Sequence, residues 1–265
     1  MYRSFLKFIA GNHTARSIFR MFFGYESADL HKDVFDLDFR NPVGLAPGFD
    51  TDAQYYNAAG AAGCSFVVLG PLSFKKKGGV RSAVSALRKE SAHNLLIGFD
   101  ITNNEGSVSE DDIVKDYLDA FDYSYDFFDF TLLDFSSNKT KPVGDPGFIR
   151  AVTDPILKAR TAYDFYHPVL LRLCGSLKTE ELNAILDYCL MNGIDGVMLP
   201  AKALLETAAA FTRGRFPIIA ESRIATASQA AALIASGASL VALQCTPERF
   251  KPALPKAILK KLRKK

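Results

Sequence analysis

Little in this chain of 265 residues points to metal or disulfide chemistry. Its four cysteines, Cys64, Cys174, Cys189 and Cys245, lie far apart and form no C-x-x-C pair. That spacing gives no zinc-ribbon pattern and favours buried free thiols over a disulfide framework, which fits a reducing compartment. Its four histidines contain no H-x-x-x-H pair, so no metal site is expected. No Gly-x-Gly-x-x-Gly follows an apolar run, which argues against an open dinucleotide-binding sheet. Acid is absent from Met1–Tyr25, where Arg3, Lys7, Arg16 and Arg20 alternate with aromatic and aliphatic residues such as Phe5, Phe8, Ile18 and Phe22. This stretch is too short and too interrupted to span a bilayer. Lys7 also breaks the apolar region that a signal peptide would need. Two short basic helices lying in a membrane interface fit the pattern. A helix pair packed on the remaining protein, with its cations in solvent, fits it equally well.

What is present is an alternation. With 48% hydrophobic residues the chain can bury a large core. Apolar runs that read as strands recur at Val43–Ala46, Phe66–Leu69, Leu95–Ile101, Phe128–Asp134, Val169–Cys174, Gly196–Leu199, Ile218–Ala220 and Leu240–Leu243. Helical periodicity lies between them, at Asp112–Phe121, Pro146–Asp164, Thr179–Asn192, Lys202–Phe211, Ala227–Ser236 and Pro255–Leu262. Strands that are almost continuously apolar indicate a parallel sheet covered by helices. Eight of them predict a (β/α)₈ TIM barrel over residues 31–265, preceded by a helical element over residues 1–30. Between the second and third strands only Arg81–Glu90 is left, which is little room for a full helix. The net charge of +3 implies no partner, and the basic end Lys260–Lys265 reads as a solvated helix terminus. Nucleic acid is not expected to bind.

The segment Asn41-Pro-Val-Gly-Leu-Ala-Pro-Gly-Phe-Asp50 reads as a strand ending in a Pro47-Gly48 turn and a carboxylate, with a helix over Asp52–Ala62. Glycine at the C-terminal end of a barrel strand lets backbone approach a flat or phosphorylated ligand. The segment resembles the N-P-x-G-L-A-A-G-x-D-K motif of the dihydroorotate dehydrogenases, the membrane-associated, quinone-dependent class in particular. Pro47 stands for the second alanine and Thr51 for the lysine. The resemblance runs through nearly the whole chain and is strongest in Lys32–Asn57, Leu96–Asn104 and Ser239–Ile258. After Glu90-Ser-Ala92 roughly two dozen family residues, including N-R-M-G-F-N-N, have no counterpart.

The resemblance implies FMN as cofactor, oxidation of dihydroorotate to orotate in pyrimidine biosynthesis, and quinone as electron acceptor. It implies Ser137, in Asp134-Phe-Ser-Ser-Asn-Lys-Thr140, as the base; a serine can serve so only if a neighbour or a water chain takes its proton. It puts Gly48, Asp100, Asp134, Arg172, Ser222, Arg223, Gly237 and Cys245 at flavin positions, and Thr51 and Lys139 at substrate positions. Several differ from the family. Asp100 and Asp134 stand for asparagines, Arg172 for a lysine, Lys139 for an asparagine and Cys245 for a serine. Pro71 replaces a threonine, Pro200-Ala-Lys-Ala203 replaces T-N-T-T, and Ala220-Glu-Ser-Arg223 replaces G-V-G-G. These exchanges remove donors and add charge, so weakened FMN binding and impaired oxidation are expected. Asp100 or Asp134 is expected to pair with Arg172, Lys139 or Arg223. Glu221 is expected to add negative charge near a phosphate, offset by Arg223. Two other readings stay open. One is a pseudoenzyme acting as a binding or regulatory partner. The other is a barrel whose mouth takes a different acidic or phosphorylated small molecule through Arg172, Lys202 and Arg223. A cytoplasmic location, with peripheral contact on the inner face of the membrane, completes the expectations; the oligomeric state is not set by the sequence.

Overall fold

A computed structural model describes every residue except 76–77, 91, 93–94, 137–143, 201–202 and 265. The chain opens with helices α1 (Tyr2–Gly11) and α2 (His13–Phe23) and a hairpin of β1 (Lys32–Val34) and β2 (Leu37–Phe39). Strands and helices then alternate: β3 (Val43–Asp50), α3 (Tyr56–Ala61), β4 (Phe66–Leu72), α4 (Val80–Lys89), β5 (Leu96–Ile101) and α5 (Glu110–Ser124). They continue as β6 (Phe130–Phe135), α6 (Pro146–Arg160), β7 (Val169–Leu173), α7 (Thr179–Asn192), β8 (Gly196–Pro200) and α8 (Ala203–Thr212). The last are β9 (Ile218–Ser222), α9 (Ala227–Ala235), β10 (Leu240–Leu243) and α10 (Ala253–Arg263). Strands β3 to β10 pair in parallel, and β10 pairs with β3 to close the barrel. The expected TIM barrel with an N-terminal helical element is what forms.

Local chemistry sets the helix ends. In α9 the Thr226 hydroxyl accepts the Gln229 amide at 3.3 Å, and the Gln229 side chain accepts the Thr226 amide at 3.0 Å. This reciprocal cap satisfies amides that the first turn leaves open. Helix α7 stops at Gly193, whose φ of 77° is the left-handed conformation that glycine tolerates best.

Three local expectations change. Pro47-Gly48 is not a turn that ends the strand: β3 continues to Asp50, with a register shift against β4 between Leu45 and Asp50. The helix expected from Asp52 begins only at Tyr56. The cause is Asp50, whose buried carboxylate accepts the amides of Gln54, Tyr55 and Tyr56 at 2.9, 2.7 and 2.9 Å and holds the intervening loop. The stretch before β5 accommodates a ten-residue α4 despite its shortness. The β1–β2 hairpin had no signal beyond a short charged run, and its turn places Phe35 and Asp36 at φ of 57° and 60°.

Inside the barrel, side chains alternate with period two along each strand. The lower interior is filled by Phe66 and Phe130 from the wall and by Phe35 and Phe39 from the hairpin, which plugs the N-terminal end. Glycines make room for these rings. A Cβ at Gly44 would lie 2.4 Å from the Phe66 ring, and one at Gly98 would lie 2.4 Å from the Phe130 ring. Two positions further along β5 and four along β6, the same inward face carries Asp100 and Asp134.

Candidate functional site

The upper layer of the barrel is ionic. Asp100 on β5, Asp134 on β6, Arg172 on β7 and Glu221 on β9 come from strands that pair in parallel, so their C-terminal ends lie at one mouth. Arg172 is the centre. Its Nε and Nη2 donate to the two oxygens of Glu221, each at 3.0 Å, and its Nη1 donates to Asp100 Oδ2 at 3.0 Å. Asp134 Oδ2 lies 3.7 Å from Nη1. Gln244, just beyond β10, donates to Glu221 Oε1 at 3.2 Å. The fork-to-fork pairing with Glu221 suits the flat guanidinium, which the compact ammonium of a lysine could not reproduce.

Three carboxylates around one guanidinium leave an excess of negative charge in a dry place. Asp100 is fully buried, and its Oδ1 has no hydrogen-bond partner among the described residues. Burial pushes the Asp100 carboxyl well above the usual carboxylate range and Asp134 pushes it further, against the pull of Arg172. A proton on Asp100 relieves the excess. Burial opposes the charge on Arg172, but Asp100, Glu221 and Asp134 outweigh it and hold the guanidinium above its ordinary value. Asp134 is also tied down by its neighbour: its Oδ1 accepts the Ser136 amide at 2.8 Å and the Ser136 hydroxyl at 2.5 Å.

Beside this cluster lies a pocket of about 410 Å³ at the ends of β3, β9 and β10. Arg223, Arg249 and Lys251 line it, together with Gly48, Gln244, Cys245, Thr246 and the apolar walls Leu243, Phe250 and Leu254. Among the described residues, no carboxylate lines it. Burial pushes the Cys245 thiol up to about 12, so it is neutral there.

The residues singled out in the sequence divide into groups. Asp100, Asp134 and Arg172 form the cluster; Gly48, Arg223 and Cys245 line the pocket; Ser222 ends β9, where its carbonyl accepts the Gln244 amide at 2.8 Å. Thr51 is exposed just after β3. Gly237 precedes β10 at φ of 105°, at the end of the barrel opposite the mouth, so it does not join them. Ser137, Lys139 and Lys202 lie outside the described residues. Glu221 turns inward to Arg172 and not toward Arg223, and Asp100 and Asp134 both face Arg172. Arg249 and Lys251 went unnoticed in the sequence. The available signal was their place in Thr246-Pro-Glu-Arg-Phe-Lys251, immediately after the last strand.

No family model matches the chain. Among curated proteins it is similar to the dihydroorotate dehydrogenase (quinone) of Christiangramia forsetii, 27% identical over 305 residues that cover 95% of this chain and 89% of the relative. The dihydroorotate dehydrogenase (quinone) of Trichodesmium erythraeum is 25% identical, covering 96% and 84%. The first alignment is longer than the 265 residues of this chain, so part of the relative falls in internal gaps here. Among solved structures, ligand-free DHODH from Eimeria tenella superposes with a TM-score of 0.77 at 19% identity, covering 98% of this chain and 93% of that one. The same protein in complex with ferulenol gives 0.75 at 17%, covering 93% and 89%. These two structures share the fold.

Proposed function

We propose that this chain, a shortened and divergent relative of the quinone-type dihydroorotate dehydrogenases, keeps their barrel without their flavin chemistry. In this reading the barrel binds an acidic or phosphorylated small molecule at its mouth. The observation that carries the proposal is the Arg172 cluster. A flavin presents two carbonyls and two imine nitrogens as acceptors along its pyrimidine edge, with N3–H as the single donor, so it needs mostly donors opposite it. The mouth offers the oxygens of Asp100, Asp134 and Glu221, and the donors of Arg172 are turned to those oxygens. The residues present therefore do not fit FMN. Pro71 has no donor, and Thr51 and Ala201 lack the reach or the amide of the lysine and asparagine they replace. Each buried polar group left unpaired costs about 1–3 kcal/mol, so three such losses weaken binding by roughly a thousandfold or more.

The second half of the reading rests on the neighbouring pocket. Arg223, Arg249 and Lys251 supply charge without a carboxylate among the described lining residues. Such a place favours an anion, and guanidinium groups suit phosphate or carboxylate in particular. The test is one preparation with two readouts. After reconstitution with FMN and desalting, the visible spectrum should lack stoichiometric flavin, and dihydroorotate should reduce quinone only at background. Turnover that disappears in Ser137→Ala would overturn the proposal.

The same reading places residues 1–30 at a membrane surface. No helix among the described residues is long and apolar enough to cross a membrane. Yet Phe8, Met21 and Phe22 on α1 and α2 are 59%, 78% and 66% exposed, beside the exposed cations Arg3, Lys7 and Arg20. Aromatic and basic side chains on short helices suit a peripheral position at lipid headgroups.

A further inference from the structure

The two ends of the chain meet. Helix α10 follows the last strand and lies against α2. The Lys256 ammonium donates to the Phe22 carbonyl at 2.7 Å, tying the first turn of α10 to the last turn of α2. About two turns on, the Arg263 guanidinium donates to the Tyr25 hydroxyl at 3.2 Å. Lys251–Lys265 contains no acid, and neither does Met1–Tyr25. Closure of the barrel thus sets two acid-free segments from opposite ends of the sequence side by side.

The surface they make is mixed in a particular way. Ile18, Met21 and Phe22 are exposed on α2 at 52%, 78% and 66%. Lys260 and Lys264 continue at helical spacing from Lys256, and both are exposed, as is Lys261. An open hollow of about 730 Å³ at this end of α10 is lined by Ala257, Lys260, Lys261, Arg263 and Lys264, with Tyr25 from the N-terminal segment. Of these cations only Arg263 has an acidic partner among the described residues, Asp29 at 3.6 Å. Exposed apolar side chains beside a row of cations match the layering of an anionic bilayer, with acyl chains under phosphate headgroups.

We infer that α10 is the second half of a membrane-docking surface, which binds the anionic headgroups while the apolar residues of α1 and α2 enter the interface. The inference rests on the peripheral reading of residues 1–30 and adds to it a specificity for negatively charged lipid. A nucleic acid would use the cations but leave Met21 and Phe22 without a partner, which is why the bilayer is favoured. Each lysine near an anionic surface strengthens binding by about fivefold, so losing three weakens it on the order of a hundredfold.

The experiment is co-sedimentation of the full chain with two kinds of vesicle, pure phosphatidylcholine and equal parts phosphatidylcholine and phosphatidylglycerol. Three proteins are compared: wild type, K260Q/K261Q/K264Q, and F8S/M21S/F22S. All the altered side chains are exposed, and unchanged thermal midpoints check that the fold is kept. Wild type should prefer the anionic vesicles, and the lysine variant should lose that preference on the order of a hundredfold. The apolar variant should lose binding to both vesicles. Undiminished anionic binding by the lysine variant overturns the role of α10 and leaves the peripheral reading standing if the apolar variant fails. Undiminished binding by the apolar variant, or none by wild type, overturns the peripheral reading and the inference with it. A single-stranded oligonucleotide that binds wild type through the three lysines, with no vesicle binding, also overturns the inference.

Discussion

At the lower end of the barrel four phenylalanines, Phe35, Phe39, Phe66 and Phe130, meet with ring centroids 5.5 to 6.5 Å apart. At the upper end Arg172 meets Asp100, Asp134 and Glu221 in similar burial. Both ends exclude water, but their rules differ. The aromatic end needs volume, and glycines opposite the rings supply the space for it. The ionic end needs partners, and one oxygen of Asp100 has none among the described residues. Filling by shape stabilises with little regard to pH. Filling by charge stabilises only while every partner and its proton are in place.

The largest expected effect tests the aromatic end. Phe130→Ala should destabilise the protein by about 3–5 kcal/mol, since it removes a fully buried ring and leaves a cavity. Urea denaturation at pH 5 and pH 8 should give the same loss; a loss that depends strongly on pH would break the comparison.

Arg172→Leu addresses the other end. It leaves the three acids without their cation and should cost roughly 3 kcal/mol at pH 8, the low end of the range because Asp100 is already driven toward its neutral form. Without the cation the Asp100 carboxyl loses the pull of Arg172 and its folded-state pKa rises further. Acids with raised folded pKa values lose stability as pH rises and regain it as pH falls, so the penalty should shrink toward pH 5. Adding Asp100→Asn, Asp134→Asn and Glu221→Gln to Arg172→Leu should recover most of it at pH 8. Failure of that rescue would show that Arg172 matters by its packing and not by its charge.

His167, just before β7 at the lower end, sharpens the contrast, because it is a titratable group that shape has buried. Burial, with Arg160 as the smaller cause, holds its pKa down at about 4, and it shares a 2.8 Å hydrogen bond with Thr131. A histidine with a depressed folded pKa gives stability that is full above the unfolded value near 6.5 and is lost as pH falls toward 4. Comparing wild type with His167→Gln should isolate a slope over that window, on the order of 3 kcal/mol in total. Equal slopes in the two proteins would place the titration elsewhere.

The smallest effect concerns fit alone. Gly98→Ala should cost about 1–2 kcal/mol through overlap with the Phe130 ring, and Phe130→Leu in the same chain should relieve part of that cost. Denaturation midpoints of the two single variants and the double variant measure it.

The barrel was legible in the sequence because its signals are local. Apolar runs such as Val169–Cys174 and Ile218–Ala220 announce buried parallel strands, and Gly193 and Thr226-Ala-Ser announce helix ends, without reference to anything distant. The hairpin β1–β2 was not legible, since its three-residue strands carry no period and its value lies in the rings it inserts beneath the barrel. Of the site, the charged residues Asp100, Asp134, Arg172 and Arg223 could be picked out one by one. Their grouping could not, and Gly237 was grouped with them although it sits at the other end.

What the sequence by itself determined is the order and kind of the elements, and hence which residues lie at strand ends. What only the tertiary structure decided is who faces whom there. Glu221 and Asp100 stand 49 and 72 residues from Arg172, and they reach it because the barrel closes and the two-residue period turns all three inward. The same closure carries α10 to α2, across 234 residues between Phe22 and Lys256. Pairings of that kind depend on the summed geometry of the whole wall, which no local pattern in the chain contains.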